Sequence, residues 1–172
     1  MAHGRVESIH ITATAEAAMS SVAEATALAG VGLEGDRYAA RTGSFSAKPK
    51  PGRQITLIEA EAIEALEREL GLVLAPGETR RNVVTRGVAL NHLVGREFTV
   101  GEVRLRGHEL CEPCGSLARM TGKPQIQPGL VHRGGLRAEI LTGGVIRVGD
   151  AVVFSEGPDF RGSGTDGGAG RG

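Results

Sequence analysis

The sequence predicts a mainly β protein, an antiparallel β-barrel or sandwich that carries a few short helices. Two observations lead to this prediction. Several short runs alternate apolar and polar residues, as half-buried strands do, and glycine-rich turns separate them. Only the segment 59–70 has the apolar spacing of a sizeable helix. With 172 residues, the chain is long enough for one domain with its own core.

The N-terminal third begins with a strand and continues into a glycine-rich loop. Apolar and polar residues alternate over 6–12, whereas the alanine-rich segment 19–28 suits a helix or a strand equally well. The turn at 30–38 has three glycines among its first six residues and also carries Asp36 and Arg37. Such a turn can cradle a phosphate, or it can be a shaped loop pinned by an Asp–Arg pair, and both interpretations stay open.

The middle of the chain contains the clearest helix. A polar loop at 39–52, of a length often seen in active-site lids, leads into a strand at 53–58 in which polar and apolar residues alternate. A helix follows at 59–70, with an acidic first turn and with Gly71 at its end. Its predicted apolar face consists of Ala62, Ile63, Leu66 and Leu70.

A group of hydrogen-bond donors precedes the next short strand, which is predicted at 83–84. Arg80, Arg81 and Asn82 are consecutive in the sequence and form the best candidate anion site of the chain. Surface arginines that bind no ligand explain the same residues equally well.

The C-terminal half predicts two β-hairpins and a final strand. Glycine-containing turns separate the two strands of each hairpin. The paired strands are predicted at 96–100 with 103–110, and at 136–141 with 145–148. A last strand is predicted at 151–154, and the glycine-dominated segment 156–172 is predicted to be a disordered tail, so that the domain spans 1–155.

The only two cysteines, Cys111 and Cys114, follow the first hairpin directly. Pro113 cannot donate to a sheet ladder and therefore ends the strand, and Ser116 is predicted to cap a short helix after it. This turn places Cys114 close to the positive end of a helix dipole. A thiol in that position has a lowered pKa, so that its thiolate becomes available.

Alternation along the strand predicts different surroundings for the two thiols. Val103 and Leu105 share one face, and a continued pattern places Cys111 in the core, while Cys114 lies beyond the proline. A bulge at Gly107 would reverse this parity. A disulfide does not suit a chain without a secretory signal, a zinc site lacks a second ligand pair, and the upstream sequence does not suit a thioredoxin-like unit. Chemistry and simple packing both remain open for the pair.

Composition excludes several classes of partner. The chain has 20 basic and 20 acidic residues, which argues against general binding to nucleic acid or to anionic membranes. Aromatic residues make up only 3% of the chain, too few for platforms that stack single-stranded bases. There is no apolar run of membrane length and no hydrophobic signal core at the N-terminus, so a cytoplasmic location is predicted.

Several motifs, taken in their order and spacing, resemble a known family. The chain is similar over 6–154 to a stand-alone MOSC domain of the small bacterial type, the domain found at the C-terminus of molybdenum cofactor sulfurases. The motifs that carry the resemblance lie at 32–37, 54–59, 81–87, 93–95, 113–122, 134–140 and 146–150.

The resemblance implies a barrel-like fold that binds the molybdenum cofactor (molybdopterin) and uses a signature cysteine in molybdenum or sulfur chemistry. Small bacterial members carry this thiol in a Pro-Cys pair, which corresponds here to Cys114 and makes it the implied metal ligand. Eukaryotic amidoxime reductases place theirs nearer to Cys111. A thiolate is a suitable soft ligand for a molybdenum(VI) oxo centre.

The resemblance also suggests roles for polar residues around the cofactor. Arg81, Asn82 and Arg133 would donate to the phosphate and amide groups of the pterin. His132 would relay a proton or serve as an ordinary structural histidine. The last candidates are the neighbouring pair Asp36 and Arg37, in which the carboxylate holds the pterin ring or braces the loop through the arginine.

Three functions follow from the resemblance. The first is an oxidoreductase that reduces small N-hydroxylated substrates with electrons from a separate redox protein, because the chain has no flavin or iron–sulfur motif of its own. The second is a sulfurtransferase-like carrier, in which a persulfide on Cys114 comes from a sulfur-donor protein and passes to a metal centre. The third is a module that binds the cofactor without chemistry.

Overall fold

A computed structural model of the chain describes residues 2–43 and 50–155. The strands are β1 (Ala2–Ile11), β2 (Ser20–Val22), β3 (Glu24–Leu28), β4 (Gly32–Leu33), β5 (Ile55–Glu59), β6 (Val83–Arg86), β7 (Glu97–Val100), β8 (Val103–Leu110), β9 (Leu136–Thr142), β10 (Gly144–Arg147) and β11 (Ala151–Phe154). The helices are α1 (Ala60–Leu70), α2 (Gly115–Thr121) and α3 (Ile126–Gly129). Short 3₁₀ turns lie at Pro51–Arg53, Pro76–Thr79 and Leu90–Leu93.

Seven strands form a closed barrel, which is one of the two architectures that the sequence predicted. They follow the order β11-β7-β8-β9-β5-β6-β1, and β1 pairs with β11 to close the ring. All neighbours in the ring are antiparallel except β5 and β6, which are parallel and are connected through α1. The strand β2 pairs with β1 beside the ring, and β3, β4 and β10 form a second, small sheet.

Two apolar clusters stabilise this arrangement. The larger one fills the barrel with aliphatic side chains such as Val6, Ile9 and Leu57, and it contains one aromatic residue, Phe98. The smaller one lies between the barrel wall and the helices α1 to α3. Because β5 has one cluster on each face, its residues 55–58 are all buried. The predicted strand is confirmed, but its alternating sequence does not give it an exposed face, since the polar Thr56 is only 1% exposed.

The first predicted hairpin is confirmed and the second is wrong. The strands β7 and β8 pair across a two-residue turn. The strands β9 and β10 do not pair, because β9 already has β8 on one edge and β5 on the other. The chain therefore leaves the barrel wall at Gly143, where a side chain would lie 2.7 Å from the carbonyl oxygen of Ala27, and β10 pairs with β3.

The predicted helix at 59–70 is confirmed, and one residue of its apolar face is wrong. Glu59 is its N-cap, and Gly71 ends it in a left-handed conformation with φ of 64°. Leu70 is 47% exposed, because the last residue of the helix extends past the smaller cluster. The ambiguous segment 19–28 forms the strands β2 and β3.

Two predicted mobile regions fall outside the described residues. These are the tail at 156–172 and the central part, 44–49, of the loop predicted as a lid. Within the part of the chain that the structure describes, no helix has the length and apolar character needed to cross a membrane.

Candidate functional site

The turn that carries both cysteines connects β8 to α2. The strand ends at Leu110, before Pro113, as predicted. The N-cap of α2 is Cys114, in extended conformation, whereas Ser116 lies inside the helix, so the predicted cap was wrong by two residues. Gly122 ends the helix in a left-handed conformation with φ of 66°.

The two thiols have different surroundings, as predicted, although the alternation behind that prediction does not continue through the strand. Cys111 is buried, with 2% of its surface exposed, and Cys114 is exposed, and neither forms a disulfide. A register shift between β8 and β9 at Gly107–Glu109 shows that the strand does contain a bulge. Cys111 is buried nevertheless, because the chain has left the strand by then and its N–H donates to the Gly135 carbonyl at 2.7 Å.

The Cys114 thiol is poised to lose its proton. Partial burial raises its pKa, but the backbone N–H groups of Leu117 and Ser116, the Ser116 hydroxyl and the charge of Arg81 all lower it. The net effect leaves the pKa of Cys114 below that of an ordinary thiol. A larger fraction of exposed thiolate at neutral pH follows.

Arg81 is buried and links the cysteine turn to the loop that precedes β9. Its Nε donates to the Gly134 carbonyl at 2.8 Å, and one terminal nitrogen donates to the Cys111 carbonyl at 3.1 Å. The side chain is buried, so its charge acts on Cys114 from inside the protein. Two of its N–H groups are thus already used by the backbone, and its predicted bond to a cofactor phosphate stays a prediction.

The other two members of the predicted donor group serve the scaffold. Asn82 is fully buried, accepts from the Thr56 backbone N–H at 3.0 Å and donates to the His10 carbonyl at 3.2 Å. The guanidinium of Arg80 donates to the carbonyls of Ala15 and Ala17, both at 2.6 Å. The three consecutive residues therefore point to three different parts of the fold.

The Asp36–Arg37 pair is a buried brace. Its carboxylate and guanidinium are 3.2 Å apart, and Asp36 also accepts from the Thr12 backbone N–H at 3.1 Å. Arg37 reaches the Arg80 carbonyl at 3.0 Å. These bonds favour the interpretation in which the pair pins the glycine-rich loop.

His132 and Arg133 lie on the far side of the cysteine turn. The backbone N–H of His132 donates to Glu112 at 3.0 Å, and its imidazole is largely exposed, with Nδ1 3.3 Å from the same carboxylate. Arg133 donates to the Gly129 carbonyl at 2.7 Å and pairs with Glu69 of α1 at 2.6 Å. Its guanidinium is thereby held against α1, and its role toward a cofactor stays a prediction.

A cleft of about 900 Å³ lies against α2, and Cys114 itself is not among the residues that line it. Its walls come from β1 and β2, the loop 15–19, the turn 75–80 and α2. Ser116 is the lining residue nearest to the thiol in sequence, and its hydroxyl is one of the groups that lower the pKa of Cys114. This cleft was not predicted from the sequence, and neither was His10, whose position two residues after Ser8 in a strand was the available signal.

The residues around Cys114 do not form a complete metal site. In residues 2–43 and 50–155, no three His, Cys, Asp or Glu side chains cluster closely enough to hold a metal ion by themselves. A metal bound to Cys114 would therefore take its other ligands from the group that carries it.

Alkylation is expected to distinguish the two thiols. Iodoacetamide at pH 7 should modify Cys114 at least ~10-fold faster than Cys111, because one thiol is exposed with a lowered pKa and the other is buried. Mass spectrometry of peptides from a time course measures both rates, and Cys114→Ser provides the matched control. Equal rates in the folded protein would contradict this assignment.

Comparison with known proteins agrees with the barrel fold. The profile of the MOSC domain matches residues 42–153, which is more than half of the chain. No curated protein matches the chain.

Solved structures show the same fold at low sequence identity. YuaD from Bacillus subtilis is 16% identical, with a TM-score of 0.73 over 87% of this chain and 94% of its own. YiiM from Geobacillus stearothermophilus is 16% identical, with a TM-score of 0.69 over 89% of this chain and 75% of its own. YiiM from Escherichia coli is 20% identical, with a TM-score of 0.62 over 86% and 68%. The chain belongs to the MOSC domain family.

Proposed function

We propose that the protein binds the molybdenum cofactor, with the Cys114 thiolate as its ligand to molybdenum. The observation that carries this proposal is an exposed thiol with a lowered pKa at the N-terminus of α2, the helix whose residues Ser116 and Arg119 line a cleft of about 900 Å³. Membership of a family that is associated with the cofactor supplies the identity of the ligand.

The donor chemistry of the site fits this group. A thiolate is a soft, charged ligand that suits molybdenum, and the nearby Arg81 charge offsets the cost of keeping it deprotonated. The lack of a complete protein metal site among the described residues suits a metal that arrives with its own sulfur ligands. The cleft is large enough for a pterin-sized ligand.

Two arginines that line the cleft could bind the phosphate of the cofactor. Arg119 is exposed on α2, donates to the Ser116 hydroxyl at 2.9 Å and forms no ion pair with any residue that the structure describes. Arg80 also lines the cleft, although two of its nitrogens hold the loop 15–17. In this proposal Arg119 takes the phosphate-binding role that the sequence analysis gave to Arg133, whose guanidinium is paired with Glu69.

When bound, the cofactor would supply two-electron redox chemistry at molybdenum. The chain itself would hold the metal through Cys114, orient the cofactor through the arginines and present the cleft to a small N-hydroxylated substrate. Electrons would come from a separate redox protein.

A second function is favoured by the exposure of Cys114. A thiolate at the surface can attack the outer sulfur of a persulfide on a donor protein, which breaks the donor S–S bond, releases the donor thiolate and leaves the persulfide on Cys114. In that case the protein is a carrier that delivers sulfur to a metal centre, and it needs no bound molybdenum.

Metal analysis of purified protein separates the two functions. We expect protein from a molybdenum-competent host to contain nearly stoichiometric molybdenum and to reduce an N-hydroxylated base with a chemical electron donor. Cys114→Ser should lose both properties, whereas Cys111→Ala should keep them, because Cys111 is buried. Labile sulfane sulfur without molybdenum would support the carrier instead, and equal molybdenum in Cys114→Ser would refute the metal-ligand role.

A further inference from the structure

The loop between β1 and β2 forms one wall of the cleft. The two strands pair as a hairpin, with Ile11 opposite Ser20, so that residues 12–19 lie at its end. Four residues of this loop line the cleft, namely Ala15, Glu16, Ala18 and Met19. The tip of the loop, residues 14–18, is mostly exposed and contains three alanines, whose short side chains can bury little apolar surface. Packing alone therefore holds the tip weakly.

The base of the loop is anchored separately from its tip. The Thr12 backbone N–H donates to the buried Asp36 carboxylate at 3.1 Å. The Thr42 hydroxyl donates to the Ala13 carbonyl at 2.6 Å. Beyond Ala13, the hydrogen bonds that join the tip to the rest of the described chain come from Arg80. The tip can therefore move while the base of the loop stays in place.

Arg80 holds the tip with its side chain and is itself fixed through its backbone. Its Nη1 donates to the Ala17 carbonyl and its Nη2 to the Ala15 carbonyl, both at 2.6 Å. The backbone of Arg80 is left-handed, with φ of 62°, and its carbonyl accepts from Arg37 at 3.0 Å. Two side-chain bonds from one fixed residue thus determine where the tip lies.

The charge of Arg80 is not neutralised by a carboxylate. Within the part of the chain that the structure describes, Arg80 forms no ion pair, and the neighbouring Asp36 is already paired with Arg37. Burial and the charge of Arg37 both lower the pKa of Arg80. The carbonyls that it holds are neutral acceptors, and hydrogen bonds between a guanidinium and an oxyanion are roughly twice as strong as neutral ones. An oxyanion in the cleft would therefore compete with the two carbonyls for Arg80.

We propose that Arg80 is a latch for the tip of the β1–β2 loop, and that an oxyanion in the cleft releases it. In this structure the latch holds residues 14–18 as a wall of the cleft. When a phosphate takes the guanidinium, the tip loses its two bonds and moves away from the turn 75–80. The inference rests on the proposed function in one respect, namely that this function brings a phosphate into the cleft. The wall then opens for ligands that carry such a group and stays closed for neutral ones.

Limited proteolysis measures release of the tip, because Glu16 lies within it. A glutamate-specific protease cuts after Glu16 only when the surrounding residues open, so the rate of this cut reports how often the tip is open. The cut after Glu67 in α1 of the same full-length, cofactor-free protein is the internal reference. Mass spectrometry follows both cuts over a time course, and thermal unfolding checks the fold of every variant.

We expect Arg80→Met to raise the rate at Glu16, relative to that at Glu67, at least ~10-fold, because two charge-assisted hydrogen bonds are lost. Arg80→Lys should lie between Arg80→Met and the wild type, because a single ammonium group can still hold one carbonyl. The matched control is Arg119→Met. It removes the other arginine of the cleft, which donates to Ser116 rather than to the loop, and should be cut like the wild type.

The effect of an oxyanion is measured on the wild-type protein and needs no substitution. Inorganic phosphate should raise the relative rate at Glu16 at least ~3-fold over chloride at equal ionic strength, because it shifts the tip toward its released position. Arg80→Met should not respond to phosphate, because its tip is already released.

Two outcomes would overturn the inference. Equal relative rates in Arg80→Met and the wild type would show that the tip is held by packing. A wild-type rate that phosphate lowers or leaves unchanged would show that an oxyanion does not release it. The molybdenum content of the same wild-type preparation tests the proposed function separately. A phosphate-dependent latch without molybdenum refutes the proposed function alone, and stoichiometric molybdenum with equal rates refutes the inference alone.

Discussion

Gly135→Ala is expected to destabilise the protein by ~3 kcal/mol or more, combining a steric clash with backbone strain. Gly135 has φ of 111°, a conformation that residues with a side chain rarely adopt. A methyl group there would also overlap the carbonyl oxygen of Leu57 in β5, which is backbone and cannot rotate away. The Gly135 carbonyl accepts from Cys111, so the damage would extend to the cysteine turn.

Urea unfolding followed by circular dichroism measures this effect. The matched control is Gly149→Ala, because Gly149 has φ of 92° but no atom near the position of the added methyl. Gly149→Ala should lower the free energy of unfolding by only ~1–2 kcal/mol, the effect of the strained backbone alone. Equal losses in the two variants would show that the close approach to Leu57 does not matter.

Arg81→Met is expected to destabilise the protein by ~2–4 kcal/mol, because it leaves two backbone carbonyls without their donor in the interior. The carbonyls belong to Cys111 in the cysteine turn and to Gly134 in the loop before β9. The loss of the buried charge should also raise the pKa of Cys114, since that charge favours the thiolate. The alkylation rate at pH 7 should therefore fall, and its midpoint should move to higher pH.

Two further variants separate these contributions. Arg81→Lys keeps the positive charge but cannot donate to both carbonyls as the guanidinium does. It should therefore lose stability, while the pKa of Cys114 stays closer to that in the wild type. Arg133→Met removes a partly exposed ion pair with Glu69 and one hydrogen bond to the Gly129 carbonyl, for which a loss of ~1–2 kcal/mol and an unchanged thiol pKa are expected. An unchanged alkylation profile in Arg81→Met would exclude the electrostatic link between Arg81 and Cys114.

Local features of the fold could be predicted from the sequence. The hairpin of β7 and β8 follows from its alternating residues and its two-residue turn, and the end of α1 follows from Gly71. The pairing of β10 could not be predicted, because it depends on β9 already having β5 and β8 as neighbours. That occupancy is a property of the closed ring and leaves no local trace in the sequence.

The same distinction applies to the candidate site. The different burial of Cys111 and Cys114 was predictable, because it is set by a few residues around Pro113. The cleft was not predictable, since residues as far apart in the sequence as His10 and Ser116 line it together. Neither could the sequence reveal that the donors of Arg81 are used by the backbone at Gly134, 53 residues further along.

The pairing of β1 with β11 has a consequence for synthesis on the ribosome. The first strand, with Val6 and Ile9 facing the future core, finds its closing neighbour only after residues 151–154 have emerged. Nascent chains that lack β11 leave one edge of β1 and one edge of β7 unpaired, and unpaired strand edges promote aggregation. Folding of this domain is therefore expected to finish after translation has passed the last strand, and its contacts of long sequence separation make that final step slow.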